Sequence, residues 1–594
     1  MSQMAIKKPI LIILTIFLMS CIANFGKIEY KSQEQNIEIN SLNISATNGI
    51  VDYLIITTEN FESILEPLAR WKTQKGVISK IETVSDINQR YPGFLVPPKI
   101  KQCITEYYSN NNTQWVLLAG DYNHVFTQQI VVEDNYPLDG DVVSCDSYYG
   151  DMNGTWVLSD FDYEAEVFVG RLTANNEVEM QSLVQRILNY EKNPPIGNWM
   201  SHAILAGAIL QYDMDWDGDD LVDYGECDEN LLNNYINSTL LPDNWNTTIL
   251  AQTQGIKGSD YNVEAELNYA NLVKAINQGG SIGTIFAHGR PNRISIARWD
   301  SDYDGDMLFD YTSDPFTTGG TAIDRKTWST LFETTTADLV EEDKLGMFFL
   351  GSCSVGTFDD AEDCVAEYFL KNAAIGCVAG SQVVWGEDQW YERTQGGWFM
   401  QGLAYRFIEQ LFQYNQPGKA LALAKADYAL DRKISLEPND YPEWANKTLK
   451  QFNLLGDPEV PIWLEIPKQL NVSIDQPFNT ASNTMTLVVT ADENPIQGVT
   501  ITYTKYTKNN DLLWKGVTNV NGTIEVPFPN LVNEDQVMTA SNNGFLPYQI
   551  ILPPNEEQEA IPGYSVIGIT LIILSFICIT SIHYKRSLSK KKIN

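Results

Sequence analysis

The sequence predicts an α/β protein with a largely parallel sheet flanked by helices, followed by an all-β domain and a C-terminal transmembrane helix. From Val51 to about Leu464, short apolar runs alternate with amphipathic stretches, as in buried parallel sheets. After Pro467 the apolar residues recur with period two, which is typical of half-buried strands. Near the C-terminus, the mostly apolar segment Tyr564–Ile582 is long enough to span a bilayer.

The α/β region divides into two series of strands and helices. The first contains the runs VDYLIITT, GVISKIET, WVLLAGD and EVFVGRL, and the second contains AILAGAIL, SIGTIFAHG, KLGMFFLGSC and AIGCVAGSQVV. Long helical patterns follow from Gly397 to about Leu430. We therefore expect an N-terminal α/β subdomain at 25–195 and a second subdomain, which carries the site, at 196–465.

The all-β region is rich in Thr, Val, Asn and Pro. Stretches such as TMTLVVTA and VTITYTKY are separated by turn signals, among them Asn521 and Gly522. Short alternating strands at this spacing predict an immunoglobulin-like sandwich over 466–554. We expect it to act as a spacer rather than a binding domain, with an acidic linker at 555–563.

The two ends of the chain predict export and anchoring. Lys7 and Lys8, the apolar run to Met19 and small residues beyond it have the layout of a signal peptide at 1–24. The alternatives are an N-terminal membrane anchor and lipidation at Cys21. A transmembrane helix at 564–583 and a basic cytoplasmic tail at 584–594 would leave the rest of the chain at the cell surface, outside the cell. The basic tail disfavours a glycolipid-anchor signal.

The composition limits the classes of molecule that the protein is expected to bind. The chain has 76 acidic and 40 basic residues and a formal charge of -36, which would repel a phosphate backbone, so we expect no nucleic-acid partner. Glycosylation sequons fit an exported protein. They lie at Asn43, Asn111, Asn153, Asn237, Asn246, Asn446, Asn471 and Asn521. The cysteines between the terminal segments are too few and too irregularly spaced for a disulfide scaffold.

Two apolar strands end at residues that carry chemistry. In SIGTIFAHG the apolar run stops at His288, which is followed by Gly289. In GMFFLGSCSVG the apolar run stops at Cys353, and Gly356 follows closely. Side chains at the carboxyl ends of parallel strands meet over one edge of the sheet. A cysteine needs a base to react as thiolate, and a leaving amine needs a proton, so a histidine serves both needs. The alternative for Cys353 is an inert core thiol.

His288 is the best catalytic candidate among the histidines. The others are His124, His202 and His583, and only His288 is followed by a glycine, which lets a substrate carbonyl approach the backbone. The amides of Gly289 and Cys353 are therefore candidates for an oxyanion hole.

At these residues the sequence resembles the caspase-like clan and, within it, the gingipain family of cysteine peptidases. An apolar strand followed by His-Gly and another followed by cysteine after a small residue form the clan's dyad signature. The runs DYLIIT, WVLLAGD, DSYYGDMNG, EVFVGRL and LLGDPEVPIW resemble other family landmarks, and the resemblance covers roughly Asp52 to Leu464.

The resemblance implies a cysteine endopeptidase that forms an acyl-enzyme on Cys353 and acts on extracellular proteins or peptides. It also implies a preference for a basic residue before the cleaved bond. By the same resemblance, Trp385 would form a wall of the substrate pocket, and Glu387 or Asp388 would supply its charge. The alternative for these three residues is an ordinary exposed loop.

The sequence departs from the family in the 65 residues that separate His288 from Cys353, a longer interval than the family predicts. One pattern, DxDxDGDxxxD, occurs inside this interval and once before it. Alternating carboxylates around a glycine turn are hard ligands that suit structural Ca²⁺, and the alternative is a solvated acidic loop. The candidate ligands are Asp213, Asp215, Asp217, Asp219 and Asp223 in the first repeat and Asp300, Asp302, Asp304, Asp306 and Asp310 in the second.

A further acidic cluster and two other functions remain open. The cluster comprises Asp146, Asp151, Asn153, Asp160 and Asp162. One alternative function is a sortase-like transpeptidase of surface proteins, in which an amine replaces water after the same acyl-enzyme. The other is a catalytically inactive calcium-binding surface adhesin. We find no HExxH zinc motif or phosphate-binding P-loop in the sequence.

Overall fold

The computed structural model describes residues 49–132, 142–154, 163–261, 263–315, 319–335, 344–387, 399–434, 442–479, 484–505, 512–527 and 536–552. The expected signal peptide, linker, transmembrane helix and basic tail lie outside these residues, as does Asp388. Among the helices that are described, none is both long enough and apolar enough to cross a membrane.

The first part of the chain alternates strands with helices. Its elements are β1 (Tyr53–Thr57), α1 (Glu59–Gln74), β2 (Ser79–Thr83), α2 (Val84–Arg90), α3 (Val96–Asn111), β3 (Trp115–Ala119), β4 (Gln128–Val131), β5 (Val142–Cys145), β6 (Phe168–Leu172) and α4 (Glu177–Lys192). Strands β1 and β3 are buried at every residue, as continuous apolar runs predict. Helix α4 begins after Asn176, whose side chain accepts hydrogen bonds from the amides of Val178 and Glu179.

The second part repeats this alternation and adds short strands. Up to residue 278 its elements are β7 (His202–Gly207), β8 (Ile209–Gln211), β9 (Met214–Asp215), β10 (Cys227–Asp228), α5 (Asn230–Thr239), β11 (Asn246–Ala251), β12 (Ala265–Glu266) and α6 (Tyr269–Gln278). Next come β13 (Ile282–Phe286), β14 (His288–Arg290), β15 (Arg293–Ser301), β16 (Phe309–Asp310), β17 (Arg325–Glu333) and β18 (Gly346–Gly351). The series ends with α7 (Val365–Asn372), β19 (Ala374–Gly380), α8 (Phe399–Tyr414), α9 (Pro417–Ile434), α10 (Pro442–Gln451) and β20 (Phe452–Gly456).

Within the described residues, one large sheet joins both series, in the order β12-β11-β7-β13-β18-β19-β20-β6-β3-β1-β2. Every pair from β12 to β19 and from β6 to β2 is parallel, and β20 is antiparallel to β19. The predicted largely parallel sheet flanked by helices is thus confirmed. The larger core that packs against it contains residues of both series, and a second core packs against β1 and β3 of the first series.

Contacts bring the end of the first series next to the loop that follows β18. Asn175, which follows β6, donates a hydrogen bond to Asp363 at 2.9 Å, and Gln129 of β4 donates to Asp359 at 2.9 Å. The Arg171 guanidinium of β6 lies 5.0 Å from the ring centroid of Phe358. The first series therefore supports the loop in which Cys353 lies.

The last part of the described chain is all β. Its strands are β21 (Lys468–Gln469), β22 (Asn471–Asn479), β23 (Thr484–Ala491), β24 (Asn494–Pro495), β25 (Thr500–Lys505), β26 (Leu512–Val517), β27 (Thr523–Pro527), β28 (Gln536–Ser541), β29 (Phe545–Leu546) and β30 (Tyr548–Leu552). Two antiparallel sheets, one around β23 and one in the order β26-β25-β28-β30, enclose a shared apolar core. The sandwich contacts the end of α1, where Lys515 donates to the Gly76 carbonyl at 2.7 Å and Ser541 donates to the Lys75 carbonyl at 2.9 Å.

Candidate active site

His288 lies just beyond the carboxyl end of β13 and begins β14. Its ring makes a hydrogen bond with the Leu210 backbone and packs edge-to-face against Trp328, with the ring centroids 4.9 Å apart. Nε2 of His288 is buried and has no hydrogen-bond partner among the described residues. The imidazole is therefore oriented on one side and keeps one nitrogen for another group.

Cys353 lies in a tight turn after β18 and is partly exposed. The Ser354 amide donates to Gln382 and the Gly356 amide donates to Gly380, both at 2.9 Å, so the turn is tied to the end of β19. The turn requires φ of +57° at Ser354, a left-handed conformation that non-glycine residues adopt only when their surroundings hold them there. The Sγ of Cys353 lies 3.5 Å from the Val384 carbonyl oxygen.

The register of the sheet brings these two residues together. Strands β13 and β18 are adjacent and parallel, with Phe286 opposite Gly351. His288 and Cys353 each lie two residues further along, at equivalent positions beyond the two strands. The expectation that both side chains lie at one edge of a common sheet matches this geometry.

Gly289 packs directly on the backbone of Cys353. A Cβ atom at Gly289 would lie 2.4 Å from the Cys353 carbonyl oxygen and 2.8 Å from its amide nitrogen, closer than any side chain tolerates. Only glycine lets the two backbones approach this closely. The amide groups proposed for an oxyanion hole are thus neighbours.

The surroundings of His288 favour its neutral form. Burial is the main cause and a nearby Lys326 ammonium the second, and together they lower the pKa of His288 to about 4, against a smaller opposing effect of the Leu210 hydrogen bond. At neutral pH the imidazole is therefore uncharged and can accept a proton.

The other described histidines make structural hydrogen bonds. His202 contacts the Gly279 carbonyl at 2.9 Å and the Thr248 hydroxyl at 3.0 Å, and His124 contacts the Asn175 carbonyl at 3.1 Å. The remaining described cysteines are buried and form no disulfide bond with one another: Cys103, Cys145, Cys227, Cys364 and Cys377. Position therefore distinguishes Cys353 from the other thiols.

A cavity of about 240 Å³ lies beyond the segment that contacts Cys353, and acidic side chains line it. Among them are Glu226, Asp228, Glu229 and Glu387. The Cys227 thiol links two of them, since its Sγ lies 3.3 Å from Glu229 Oε1 and 3.4 Å from the Glu387 carbonyl oxygen.

Glu229 is the most buried acid in this cavity. It precedes α5, and its Oε1 accepts a hydrogen bond from Gln401 at 2.7 Å, while its Oε2 is buried without a hydrogen-bond partner in the described structure. Burial is the main cause that raises the pKa of Glu229 to about 8. A buried carboxyl oxygen without a partner indicates a place for a hydrogen-bond donor or a cation.

Of the three predicted pocket residues, Glu387 is the one that lines the cavity in the described structure. Glu387 is 8% exposed and lines the cavity, and its amide donates to Gln401 at 3.1 Å. Trp385 stacks on Trp444 with ring centroids 4.3 Å apart, and Asp388 lies outside the described residues. Sequence reasoning missed Glu229, although the run of acids in GECDEN just before a helix was a visible signal.

The long interval between His288 and Cys353 forms an antiparallel sheet in the order β14-β15-β17, with His288 in its first strand. Strand β16 of the interval pairs in parallel with β9, which places the two aspartate repeats side by side. A small apolar core of Ile209, Tyr212, Met214, Trp299 and Phe309 lies beneath them. The two aspartate repeats therefore lie together, and the second repeat belongs to the same interval as the sheet that contains His288.

Within the described residues, three triplets of carboxylates could each hold a cation. They are Asp215 with Asp217 and Asp223, Asp215 with Asp306 and Asp310, and Asp220 with Asp304 and Asp306. Sequence reasoning missed Asp220, which lies outside the repeat pattern. Burial and the neighbouring carboxylates raise the pKa of Asp310 to about 6, as expected for anions held together.

Four predicted ligands lie outside these triplets. Asp213 pairs with Lys257 at 2.7 Å and Asp300 pairs with Arg298 at 2.6 Å, so the first acid of each repeat already has a cationic partner. Asp219 accepts from the Leu221 amide, and Asp302 accepts from the Gly305 amide.

The additional acidic cluster of the sequence does not form one described site. Asp146 binds Arg171, and Asp151 accepts from the amides of Asn153 and Gly154. Asp160 and Asp162 lie outside the described residues.

A cysteine and a histidine at equivalent positions beyond adjacent parallel strands are typical of sites in cysteine-dependent hydrolases. The chain belongs to peptidase family C25, whose family model matches residues 46–463. The resemblance to gingipain-like cysteine peptidases is thus confirmed, and the family assignment indicates a cysteine-type peptidase.

The chain is similar to gingipains of Porphyromonas gingivalis. It is 21% identical to gingipain R2 over an alignment of 470 residues that covers 74% of this chain and 50% of that protein. It is 23% identical to gingipain R1 over 241 residues, or 40% of this chain and 20% of that protein. The chain thus spans half or less of the length of the curated relatives it matches.

Solved structures share the fold. The crystal structure of the Arg-specific cysteine proteinase gingipain R matches with a TM-score of 0.57 at 15% identity, covering 85% of this chain and 97% of that one. The complex of the pro- and mature domains of RgpB from Porphyromonas gingivalis matches with a TM-score of 0.57 at 15% identity, covering 84% of this chain and 99% of that one.

Proposed function

We propose that this chain is a cysteine endopeptidase that cleaves extracellular proteins or peptides through an acyl-enzyme on Cys353, with His288 as general base and acid. The observation that carries the proposal is the register of β13 and β18, which sets both residues at equivalent positions beyond adjacent strands. The contact of Gly289 with the Cys353 backbone supports it, because it brings two backbone amides to the same point.

The chemistry proceeds in two steps. His288 takes the Cys353 proton, Sγ forms a bond with the substrate carbonyl carbon, and the C–N bond breaks as the imidazolium gives that proton to the leaving amine. Water then loses a proton to His288 and attacks the thioester. The C–S bond breaks, the carboxylic product leaves, and the thiol regains its proton. The oxyanion of each tetrahedral intermediate accepts hydrogen bonds from the Gly289 and Cys353 amides.

We propose that the acid-lined cavity takes a basic residue before the cleaved bond. The Val384 carbonyl contacts the nucleophile and Glu387 lines the cavity, so one short segment connects the two. Glu229 has a buried oxygen without a partner in the described structure, and its pKa of about 8 leaves it mostly protonated at neutral pH. A cation that entered the cavity would favour its ionised form and so gain a charged partner. Trp385, which stacks on Trp444 and is not among the residues that line the cavity, and Asp388 remain candidates from the sequence alone.

Ca²⁺ is the proposed structural ion of the paired aspartate repeats. The triplets offer only carboxylate oxygens, the ligands that Ca²⁺ prefers, and they contain Asp215, Asp217, Asp223, Asp304, Asp306 and Asp310 from the predicted set. Bound Ca²⁺ would offset the repulsion between these carboxylates. Because the second repeat belongs to the same interval as β14, we expect excess chelator to lower both the melting temperature and the peptidase rate.

The proposed location is the cell surface, with the catalytic domain outside and a membrane anchor at 564–583. This rests on the apolar segment and the basic tail of the sequence. The sandwich that follows the sheet is proposed to be an immunoglobulin-like spacer, supported by its two facing antiparallel sheets. Membrane fractionation of chains with and without residues 564–594 tests the anchor.

Peptide-library cleavage by the purified ectodomain tests the proposed function. We expect the wild type to cleave after Arg or Lys, Cys353→Ala to cleave nothing, and Cys377→Ala, which removes a buried thiol elsewhere, to keep the cleavage pattern. Cleavage by Cys353→Ala would overturn the assignment of the nucleophile. Cleavage without a basic preference would overturn the pocket assignment alone.

A further inference from the structure

Trp328 is an exposed aromatic residue in contact with the candidate catalytic histidine. It lies in the middle of β17, in the interval that separates His288 from Cys353. Its side chain is 60% exposed, whereas His288 is largely buried, so the indole lies on the outer side of the imidazole. An exposed indole beside a reactive group is a candidate contact for a substrate, since aromatic side chains supply large apolar contact area.

The strand register explains how the two rings meet. His288 of β14 pairs with Ser295 of β15, and Ser295 pairs with Thr330 of β17. Trp328 lies two residues from Thr330 and pairs with Ala297, so it shares a face of this sheet with His288. Because Ser295 and Ala297 are small, no side chain of β15 separates the indole from the imidazole.

We propose that Trp328 is a specificity-determining residue that contacts the side chain directly after the cleaved bond, and that it favours large apolar residues there. This inference rests on the proposed function. His288 must reach within hydrogen-bond distance of the leaving amine, and that nitrogen carries the residue after the cleaved bond. A group in van der Waals contact with the imidazole is therefore within reach of that residue's side chain.

The arrangement of the site assigns the two sides of the substrate to different elements. After β19, the Val384 carbonyl contacts Cys353, and Glu387 of the same short segment lines the acid-lined cavity. Trp328 comes from β17 and contacts His288 instead. Its exposed neighbours in the strand, Thr327 and Ser329, are small and polar, so within β17 the indole is the large apolar surface that a substrate would meet.

Matched peptides test the proposal. They share all residues before the cleaved bond, including the best basic residue found in the library, and carry either Phe or Gly directly after it. We expect wild type to favour Phe about 10-fold in kcat/KM, the scale of one apolar side chain in a binding site. Trp328→Ala should lower the rate for the Phe peptide and bring the ratio close to one, and Trp328→Phe should keep most of the preference.

Two variants serve as controls. Ser329→Ala changes the adjacent residue of the same strand, and Phe94→Ala removes an aromatic side chain that is 95% exposed before α3. Both should leave the ratio unchanged. An unchanged ratio in Trp328→Ala, or an equal fall for both peptides, would overturn the proposal, since the latter result would mean that Trp328 only positions His288. A wild type that cleaves neither peptide would instead defeat the proposed function and the inference with it.

Discussion

Two charged regions adjoin the loop that follows β18, and they differ in how their polar groups are satisfied. In the first, the Arg171 guanidinium donates to both oxygens of Asp146, at 2.6 and 2.8 Å, and to the Gly120 and Val125 carbonyls. In the second, around His288 and Cys353, buried polar atoms have no hydrogen-bond partner in the described structure: His288 Nε2, Ser352 Oγ and Glu229 Oε2.

We interpret the Arg171 region as a structural support and the region around His288 and Cys353 as the functional site. Burying a charge is tolerated only when it is paired, and the Arg171 pair fulfils this condition within the fold. Buried polar groups without partners cost stability, so a protein retains them where a ligand will complete them. The first region has exceptions, because Asp121 Oδ1, Thr127 Oγ1 and Thr173 Oγ1 also have no hydrogen-bond partner in the described structure. Burial raises the pKa of Asp121 to about 6.

The largest expected effect comes from the dyad. Cys353→Ala and His288→Ala should each lower kcat by about 10⁴-fold or more, and the double variant should be no worse than either single one, because the residues act as a unit. Single-turnover kinetics on one peptide measures this. Effects that multiply in the double variant would show that the two residues act independently.

Removing one partner of the buried Arg171–Asp146 pair should lower the stability of the fold rather than the catalytic rate. Arg171→Met leaves Asp146 buried without its partner and should lower the free energy of unfolding by about 3 to 5 kcal/mol. The double change Arg171→Met with Asp146→Leu should recover much of that loss, because no charge stays buried. Urea unfolding gives both values. A stable Arg171→Met variant that had lost activity would reverse the roles of the two regions.

Gly289→Ala tests whether the Gly289 amide belongs to the proposed oxyanion hole. Its added methyl group would collide with the Cys353 backbone and displace the proposed oxyanion hole, lowering kcat about 100-fold. Gly197→Ala is a matched control, since its methyl group meets only the Trp199 ring, at 3.3 Å. Equal kcat values for the two variants would show that Gly289 is not part of the oxyanion hole.

The smallest expected effect is a pH dependence. The folded pKa of His288, about 4, lies below its ordinary value, so the unfolded chain binds more protons between about pH 6.5 and 4. Stability should therefore fall as the pH drops through this range, by about 2 to 3 kcal/mol relative to His288→Asn.

Lys326→Gln should shift the acid limb of the kcat/KM profile to higher pH, because the Lys326 ammonium helps to lower the pKa of His288. The shift should not restore the ordinary pKa of histidine, because burial is the larger cause. An acid limb that stays in place in Lys326→Gln would show that the ammonium does not act on His288.

The sequence predicted the parts of the site that depend on strand order. Apolar runs ending in His-Gly and in Cys mark two strand ends, and a parallel sheet brings such ends together. The repeats of aspartates were equally visible. The roles of Glu229 and Asp220 could not be predicted, although both stand in acidic runs of the sequence, because these roles depend on which loops fold next to each other. The same holds for Trp328, whose contact with His288 follows from the pairing of three strands.

The most direct test is alkylation of the folded ectodomain with iodoacetamide, followed by mass spectrometry of each cysteine. If the Cys353 thiol is activated by His288, the wild type should be labelled first at Cys353, and His288→Ala should lose this selectivity while Cys103 and Cys377 stay protected. Equal labelling of several cysteines, or undiminished labelling of Cys353 in His288→Ala, would contradict the dyad.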